Sequence, residues 1–249
     1  GNTLRIPLLE VLHWKCPSSL RSDNRMRRNT QGGYFSMDSM SAAQAREMMI
    51  YVADVVVESK ELLCEADRNI GDGDHGIGMA AGLERCREEL RAREFTDVYD
   101  VFSTSGRTMI RTMGGASGVI FGMLFYAGSR NMTSQSEIGI SEFSHMFEKA
   151  LAEIQAKGHA EVGDKTVVDA LYPMVVSLRQ SSESALPFKE ALRRAYLAAE
   201  EGKEATRHYV AKVGKAKALG ERAVGFPDAG AVSLSVIAKA MSDWAEKNL

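Results

Sequence analysis

Residues 67–76 form the segment that most restricts what this chain can fold into, because acidic residues and glycines alternate along it. The segment reads Asp-Arg-Asn-Ile-Gly-Asp-Gly-Asp-His-Gly, which places Asp67, Asp72 and Asp74 on one short stretch of backbone. Carboxylates held this close repel one another unless cations neutralise them. Carboxylate oxygens suit Mg²⁺, which proteins commonly bind together with substrate phosphates. The segment therefore indicates a metal–phosphate site, and a solvated acidic turn that caps a helix is the alternative.

The surrounding sequence excludes two other loop motifs. Residues 71–76 match the dinucleotide fingerprint GxGxxG, but that fingerprint has to follow a β-strand. Residues 45–65 show helical spacing instead, and two aspartates inside the loop would repel a pyrophosphate that arrived without metal. An EF-hand is excluded because the acidic positions and the terminal Glu do not fall at its spacing.

Composition describes an ordinary globular protein of 249 residues, with 45% hydrophobic and 26% charged residues. The net charge of −2 gives no argument for nucleic acid or an anionic membrane as a partner. No apolar run approaches the roughly 20 residues that a membrane-spanning helix needs. The three cysteines are far apart and form no CxxC pair, which argues against a disulfide framework or a zinc site. We therefore expect a cytoplasmic protein.

Residues 1–37 differ from the rest of the chain. They carry six basic residues against two acidic ones and show no sustained periodicity. An organellar leader, a non-native extension and translation from an upstream start remain open. Because Met37 and Met40 lie just before the first convincing helix, we interpret residues 1–37 as a disordered or non-native extension. Residues 38–249 are then one domain.

From Ser41 onward the pattern is helical, and Ser41 with Gln44 forms a capping box. No hairpin turn has alternating apolar flanks, so we expect no sheet. The periodicity predicts eight helices, near residues 41–65, 78–93, 98–112, 118–130, 141–157, 164–180, 188–213 and 230–248.

A second glycine cluster, residues 114–118, reads Gly-Gly-Ala-Ser-Gly and precedes an apolar helix. Open amide donors and the helix dipole favour an anion at such a position, and Ser117 adds a hydroxyl group. Alternatively, Gly118 and Gly122 lie four residues apart and let a neighbouring helix approach closely. Both interpretations remain open.

Two further glycine loops follow. Residues 158–166 resemble a Walker A loop with one residue too many, so we interpret Asp164 as a helix start and Lys165 as structural. Residues 220–230 lead into the last helix, with Asp228 at the position of an N-cap. Lys212, Lys215, Lys217 and Arg222 form a basic run just before that helix, which is either a solvated face or the counter-charge to phosphates.

Taken together, these segments resemble the nucleotide-binding L subunit, or L domain, of dihydroxyacetone kinase. The matching pieces occur in the family's order over residues 41–249: DRNIGDGDHG, MGGASGVIFG, GDKTVVDALYP and LGERAVGFPDAG. The resemblance implies an all-α barrel of eight mostly antiparallel amphipathic helices, with a nucleotide–Mg²⁺ site at one end. It also implies that Asp67, Asp72 and Asp74 bind two Mg²⁺ ions that bridge the nucleotide phosphates. The nucleotide-binding positions that it implies are His75, Gly76, Ile77, Gly78, Ala116, Ser117, Gly158, Val167, Lys215, Asp228, Ala229 and Gly230.

The resemblance further implies a kinase subunit without a covalent nucleophile of its own. It would pass the phosphoryl group from Mg²⁺-bound nucleotide to dihydroxyacetone, or a related small ketose, held by a histidine of a separate K subunit. ADP would be a retained cofactor, recharged by a phosphohistidine protein of the phosphotransferase system. The alternatives are an ATP-dependent ketose kinase subunit and a nucleotide-loaded regulatory protein without catalysis. Gly78, Lys215 and Phe226 depart from the family pattern, which has Asn, Arg and His at these positions.

Overall fold

The computed structural model describes residues 39–249, so the extension expected at residues 1–37 lies outside the described residues. Within them the chain forms nine α-helices and two short β-strands. The helices are α1 (Ala42–Glu58), α2 (Lys60–Arg68), α3 (His75–Arg91), α4 (Val98–Thr112), α5 (Gly115–Ser129), α6 (Ile140–Gly158), α7 (Val168–Glu183), α8 (Phe188–Ala205) and α9 (Ala229–Asn248). The strands are β1 (Met40–Ser41) and β2 (Glu137–Ile138).

Eight of these helices close into a barrel. From α3 to α9 each helix packs against the next one along the chain, and α1 packs against both α9 and α3, which completes the ring. The short helix α2 packs against α3 and α9. The predicted all-α barrel is confirmed. The expectation of no sheet is wrong only for the antiparallel pair in which Met40 faces Ile138 and Ser41 faces Glu137.

None of the helices within residues 39–249 is both long enough and apolar enough to cross a membrane.

Aromatic rings from several helices fill part of the barrel interior. The ring of Phe143 in α6 lies 6.0 Å from Phe102, 4.9 Å from Phe147 and 5.1 Å from Phe188, measured between centroids. All four side chains are fully or almost fully buried. Burying one such side chain stabilises a fold by roughly 1.5–3 kcal/mol, so the periodic apolar faces account for the closure of the barrel.

The first predicted helix is divided in two. The capping box at its start is present, because Ser41 Oγ accepts the N–H of Gln44 and the Gln44 side chain accepts the N–H of Ser41. The helix ends at Glu58, and Ser59 then separates α1 from α2. The interruption follows the β-branched residues 55–57, whose side chains are disfavoured in helices. Helix α2 is therefore a separate short helix, and its last two residues, Asp67 and Arg68, are the first two residues of the acidic segment.

Two predicted boundaries near the glycine loops are wrong. Helix α7 begins at Val168 rather than at 164, because Lys165 adopts a left-handed backbone conformation with φ of 60°. Helix α8 ends at Ala205 rather than at 213. Residues 206–228 then form an irregular α8–α9 segment, with 3₁₀ turns at Thr206–His208 and Lys215–Ala223.

The order of the helices gathers four N-termini at one end of the barrel. Neighbouring helices that follow one another through short connections run in opposite directions. Helices α3, α5 and α7 therefore begin at the same end, which we call the site end. Helix α9 begins there too, because a Cβ atom at Gly230 in its first turn would lie 3.3 Å from Cβ of Val167, just before α7. Each helix N-terminus carries a partial positive charge and unpaired N–H groups. The site end is therefore suited to an anionic ligand.

Glycines let α4 and α5 approach closely. A Cβ atom at Gly122 would lie 2.3 Å from Cγ1 of Ile110 and 2.8 Å from the carbonyl oxygen of Gly106. The packing interpretation of the Gly118–Gly122 spacing is therefore confirmed for Gly122. In contrast, a Cβ atom at Gly78 in α3 would meet no atom within 4 Å.

We expect Gly122→Ala to lower the free energy of unfolding by about 1–3 kcal/mol, because the added methyl group forces α4 and α5 apart. Gly78→Ala is the matched control, and it should leave stability unchanged or raise it by up to about 1 kcal/mol through helix propensity. Urea denaturation of both variants measures the difference. Equal stability of the two variants would contradict the packing argument.

Candidate functional site

The three predicted metal-binding carboxylates come together at the site end. Asp67 lies in the last turn of α2, and Asp74 is the residue immediately before α3. One carboxylate oxygen of Asp67, Asp72 and Asp74 can be chosen so that all three lie within 4.8 Å of one another. Asp67 is buried, whereas Asp72 and Asp74 are exposed. The carboxylate of Asp67 is therefore held inside the fold, and those of Asp72 and Asp74 face solvent.

Backbone N–H groups and glycines hold Asp67 in place. Its Oδ2 atom accepts the N–H of Gly73 at 2.9 Å and the N–H of His75 at 3.3 Å. A Cβ atom at Gly71 would lie 2.2 Å from Oδ1 of Asp67, so a larger residue there would displace the carboxylate. Gly73 has a φ of 79°, which glycine adopts without strain. The alternation of glycine and aspartate in the sequence is thus required by the loop geometry.

Lys215, from the α8–α9 segment, supplies positive charge to the cluster. Its Nζ atom lies 2.6 Å from Oδ2 of Asp72 and 3.5 Å from Oδ1 of Asp74. The hydrogen bond from Lys215 lowers the pKa of Asp72 to about 2, and the same bond raises the pKa of Lys215. The residues of the basic run therefore have different partners. Lys215 contacts the acidic cluster, whereas Lys212 pairs with Asp164 at 2.8 Å.

The donor set fits a hard divalent cation. Three carboxylates offer oxygen ligands, and hydrogen bonds from the backbone orient the buried one. Mg²⁺ prefers oxygen ligands and usually keeps some positions for phosphate or water. The two exposed carboxylates lie on the open side, where a phosphate group can approach.

His75 links three of the helices that begin at the site end. Its Nδ1 atom lies 3.2 Å from Oγ of Ser117 in α5, and its Nε2 atom lies 2.7 Å from Oγ of Ser233 in α9. The imidazole ring also packs near Phe121, with centroids 5.8 Å apart. Burial lowers the pKa of His75. Ser233 is a residue that the sequence analysis missed, because nothing in its local pattern distinguishes it from other small residues of α9.

The remaining predicted residues of α3 and α5 differ in exposure. Gly76 is buried, and a Cβ atom there would lie 2.2 Å from the carbonyl oxygen of Lys60, so this glycine lets α2 and α3 pack closely. Ile77 is exposed and Gly78 is half-buried. Ala116 is exposed in the first turn of α5. All of them lie at the site end, and their contacts with a ligand remain predictions.

The predicted residues near α6, α7 and α9 lie at the same end. Gly158 is the last residue of α6, and Val167 is the buried residue immediately before α7. A Cβ atom at Gly230 would lie 3.3 Å from Cβ of Val167, so the starts of α7 and α9 adjoin. Ala229 is buried. These residues too stay predictions as ligand contacts.

Lys165 joins the two longest connections of the site end. It is 1% exposed, and its Nζ atom donates to the carbonyl oxygens of Thr206 at 2.5 Å and Phe226 at 2.6 Å. Burial lowers its pKa. The structural interpretation of Lys165 is confirmed, because its ammonium group fastens both ends of the α8–α9 segment to the α6–α7 connection.

The role of Asp164 differs from the prediction, and Asp169 has a role that was not predicted. Asp164 does not start a helix; its carboxylate accepts the N–H of Glu161 at 2.8 Å and pairs with Lys212. Buried Asp169, which the sequence analysis missed, accepts the N–H groups of Gly163 at 2.5 Å and Thr166 at 2.7 Å. These bonds shape the connection that presents Lys165.

Asp228 caps α9, as the sequence predicts. Its Oδ2 atom accepts the N–H of Ala231 at 2.8 Å, and its own N–H donates to Oγ1 of Thr206. Burial raises the pKa of Asp228 to about 7, against the opposing effect of the hydrogen bond from Ala231. The folded protein therefore holds a proton on this carboxyl group at pH values where the unfolded chain has released it.

We expect Asp228 to make the ligand-free protein less stable as pH rises from about 4 to about 7, because the unfolded carboxyl group ionises first. Asp228→Asn keeps a capping oxygen and removes this effect. The melting temperature of the variant minus that of the wild type should increase between pH 5 and pH 8. Between these two pH values the change corresponds to at most about 3 kcal/mol, because about two of the three pKa units of the shift fall within this range. A difference that is constant across this range would contradict the assignment.

Known proteins resemble this chain in sequence. Residues 69–243 match the model of the DAK2 domain family. The chain is 35% identical over 196 residues to the ADP-binding subunit DhaL of the PEP-dependent dihydroxyacetone kinase of Escherichia coli, covering 79% of this chain and 93% of that subunit. It is 33% identical to the ADP-binding subunit DhaL of the PTS-dependent dihydroxyacetone kinase of Lactococcus lactis, covering 72% of this chain and 84% of that subunit.

A solved structure shares the fold. The crystal structure of the dihydroxyacetone kinase from C. freundii, in complex with AMP-PNP and Mg²⁺, superimposes with a TM-score of 0.62 at 23% identity. The match covers 93% of this chain and 37% of that chain, so the protein described here spans little more than a third of that kinase. The family match and the two subunits, each more than 30% identical, agree. This chain belongs to the DAK2 domain family.

Proposed function

We propose that residues 38–249 form a single nucleotide-binding domain that passes a phosphoryl group from Mg²⁺-bound nucleotide to dihydroxyacetone or a related small ketose. The observation that carries the proposal is the cluster of Asp67, Asp72 and Asp74 beside four helix N-termini. Carboxylates bind the metal, and helix N-termini favour the phosphates that the metal bridges. The ADP-binding subunits among the relatives support the same assignment.

The proposal includes two Mg²⁺ ions and a nucleotide with its phosphates at the starts of α3 and α5. Asp67 would hold the inner position, because it is buried and fixed by backbone N–H groups. Asp72 and Asp74 would complete the ligand set from the exposed side. Ala116 and Ser117 would contact phosphate, and the region between Gly158, Val167 and Gly230 would receive the base and ribose.

The chain's own residues supply positioning and charge. Bound Mg²⁺ would neutralise and orient the phosphates, and phosphoryl transfer requires mainly that help. The carboxylates fix the metal sites, the N–H groups at the start of α5 face the phosphate side, and Lys215 places a positive charge beside Asp72. None of these roles needs a covalent nucleophile, and the proposed acceptor is a hydroxyl group of the sugar.

The proposed phosphoryl donor is a phosphohistidine protein of the phosphotransferase system, with ADP retained on this chain. The similarity covers 93% of the E. coli ADP-binding subunit but only 33% of the D-erythrulose kinase of Mycolicibacterium smegmatis, to which the chain is 32% identical. Identities of 35% and 36% to subunits described as ADP-binding favour retained ADP. The second candidate, an ATP-dependent kinase of small ketoses, is supported by that erythrulose kinase.

The proposed partner is a K subunit that holds the sugar, docked on the site end. Of the nine large apolar side chains exposed within residues 39–249, six belong to the segments of this end. They are Ile77, Val119, Val162, Val210, Val224 and Phe226. We call these six residues the apolar rim. Exposed apolar patches are typical of protein-binding surfaces, and we propose that these six side chains contribute to one. A partner seated there would present its sugar to the phosphates.

We expect the protein, purified in Mg²⁺ without added nucleotide and then dialysed, to release nearly one equivalent of ADP on denaturation. Asp74→Asn should purify without nucleotide while keeping its helix content, because Asp74 is exposed and its carboxylate pairs at 3.5 Å with the exposed Lys215 and not with the core. The control is Asp243→Asn, which changes an exposed carboxylate of α9 paired with Lys239. Chromatography of the released nucleotide and circular dichroism provide the measurements.

The outcomes separate the candidates. An empty protein that binds Mg²⁺–ATP reversibly would favour the ATP-dependent kinase. Retained ADP without transfer to dihydroxyacetone, when K subunit and phosphorylated donor are both supplied, would favour a regulatory binding protein. Nucleotide that stays bound in both Asp72→Asn and Asp74→Asn would sink the metal assignment.

We expect Val210→Asp and Val224→Asp each to weaken association with the K subunit by at least about tenfold, because a charge would be buried against the partner. Leu197→Asp is the matched control, since Leu197 has the same exposure as Val210 (44% and 43%) but lies in the middle of α8. Isothermal titration calorimetry with purified K subunit measures the affinity. Equal affinities for all three variants would remove the apolar rim from the interface.

A further inference from the structure

A chain of three hydrogen-bonding side chains runs from the core to the phosphate side of the site. Ser233 is completely buried in α9, His75 is half-buried at the start of α3, and Ser117 is half-buried in the first turn of α5. The ring nitrogens of His75 connect the two hydroxyl groups, at 2.7 Å to Ser233 and 3.2 Å to Ser117. Ser117 follows the exposed residues 114–116, so it is the outer end of the chain.

The two hydrogen bonds that join Ser233, His75 and Ser117 can run in either of two directions. A neutral imidazole carries one N–H group, so it donates at one nitrogen and accepts at the other. In the first direction Ser233 donates to Nε2, Nδ1–H donates to Ser117, and the Ser117 hydroxyl proton remains free to point outward. In the second direction Nε2–H donates to Ser233, Ser117 donates inward to Nδ1, and the lone pairs of Ser117 face outward.

The buried hydroxyl group of Ser233 needs an acceptor for its proton, and this requirement selects the first direction. Among the residues that the structure describes, His75 is the hydrogen-bonding partner of Ser233 Oγ. In the second direction the Ser233 proton would have no acceptor, which is costly for a buried group. In the first direction that proton is used, and every member of the chain is paired.

We infer that Ser233 is a positioning residue, which holds His75 as the Nδ1–H tautomer so that Ser117 donates its hydroxyl proton to a phosphate oxygen. This inference rests on the proposed function, because it takes a nucleotide phosphate as the ligand of Ser117. A reversed chain would present lone pairs to an anion, and the site would lose a donor. Ser233 acts on the ligand through His75 and Ser117, without touching it.

The tautomer can be measured directly and without ligand. In ¹⁵N NMR spectra of imidazole-labelled protein, the Nδ1 signal of His75 should be that of a protonated nitrogen, and the Nε2 signal that of an unprotonated acceptor. The spectrum of His75→Gln assigns the signals. In Ser233→Ala the two signals should move toward those of a tautomer mixture, and Ser233→Thr should restore the wild-type pattern. Wild-type spectra that show Nε2–H or an imidazolium ion would overturn the inference, whether or not nucleotide binds.

Binding energies supply a second test with a double-mutant cycle. Ser117→Ala should weaken Mg²⁺–ADP binding by about tenfold, Ser233→Ala should weaken it by a smaller factor of about two to five set by the remaining fraction of the Nδ1–H tautomer, and the double variant should be no weaker than Ser117→Ala alone. Ser235→Ala is the control, because Ser235 lies in the same helix and bonds to Glu200 instead. Additive losses would mean that Ser233 acts through general packing, and the positioning role would be wrong. If the wild type bound no Mg²⁺–ADP, the proposed function would fail while the tautomer measurement still decided this inference.

Discussion

The mutual repulsion of three carboxylates is the constraint on which the site end depends. Asp67, Asp72 and Asp74 bring negative charge within 4.8 Å, which costs free energy in any fold that does not offset it. Three features of the ligand-free chain offset it: backbone N–H groups bonded to Asp67, the N-terminus of α3, and the ammonium group of Lys215. The last of these comes from 143 residues further along the chain. The acidic loop therefore requires the whole barrel, although it is local in sequence.

Hydrogen bonds and an ion pair hold the α8–α9 segment, which carries Lys215. The segment contributes three buried alanines, Ala211, Ala216 and Ala223, to a minor cluster with Ile70 and Ala229, and the partly buried Leu219 packs against this cluster. Such burial contributes little, because each methyl group removes little area from water. Lys165 fastens both ends of the segment through the carbonyl oxygens of Thr206 and Phe226, and Lys212 adds an ion pair to Asp164. The position of Lys215 thus depends on a buried charge in another connection.

Sequence patterns predicted the features that depend on neighbours along the chain. The eight helical stretches follow from apolar periodicity, the capping box at Ser41 from its spacing, and the acidic cluster from aspartates within eight residues. The features that escaped prediction depend on contacts between distant segments. Ser233 has an ordinary local pattern, and only the fold places it against His75. Asp169 differs, because it bonds to Gly163 and Thr166 nearby in the chain, and the spacing of Thr166 and Asp169 could have indicated it. The late start of α7 follows from the left-handed conformation of Lys165, which its carbonyl partners stabilise.

The three residues that depart from the family pattern differ in how far the fold depends on their side chains. Gly78 borders open space, so the missing side chain removes a polar group without disturbing the packing. Phe226 is partly exposed, and its fold contact runs through its carbonyl oxygen, which any residue could supply. Lys215 differs from both, because its side chain itself contacts Asp72 and Asp74. An ammonium group is a compact charge without the planar fork of arginine, so it can lie between two carboxylates but cannot grip one phosphate with two parallel bonds. In the proposed site, Lys215 would therefore neutralise the carboxylates of Asp72 and Asp74 more than it would hold a phosphate group.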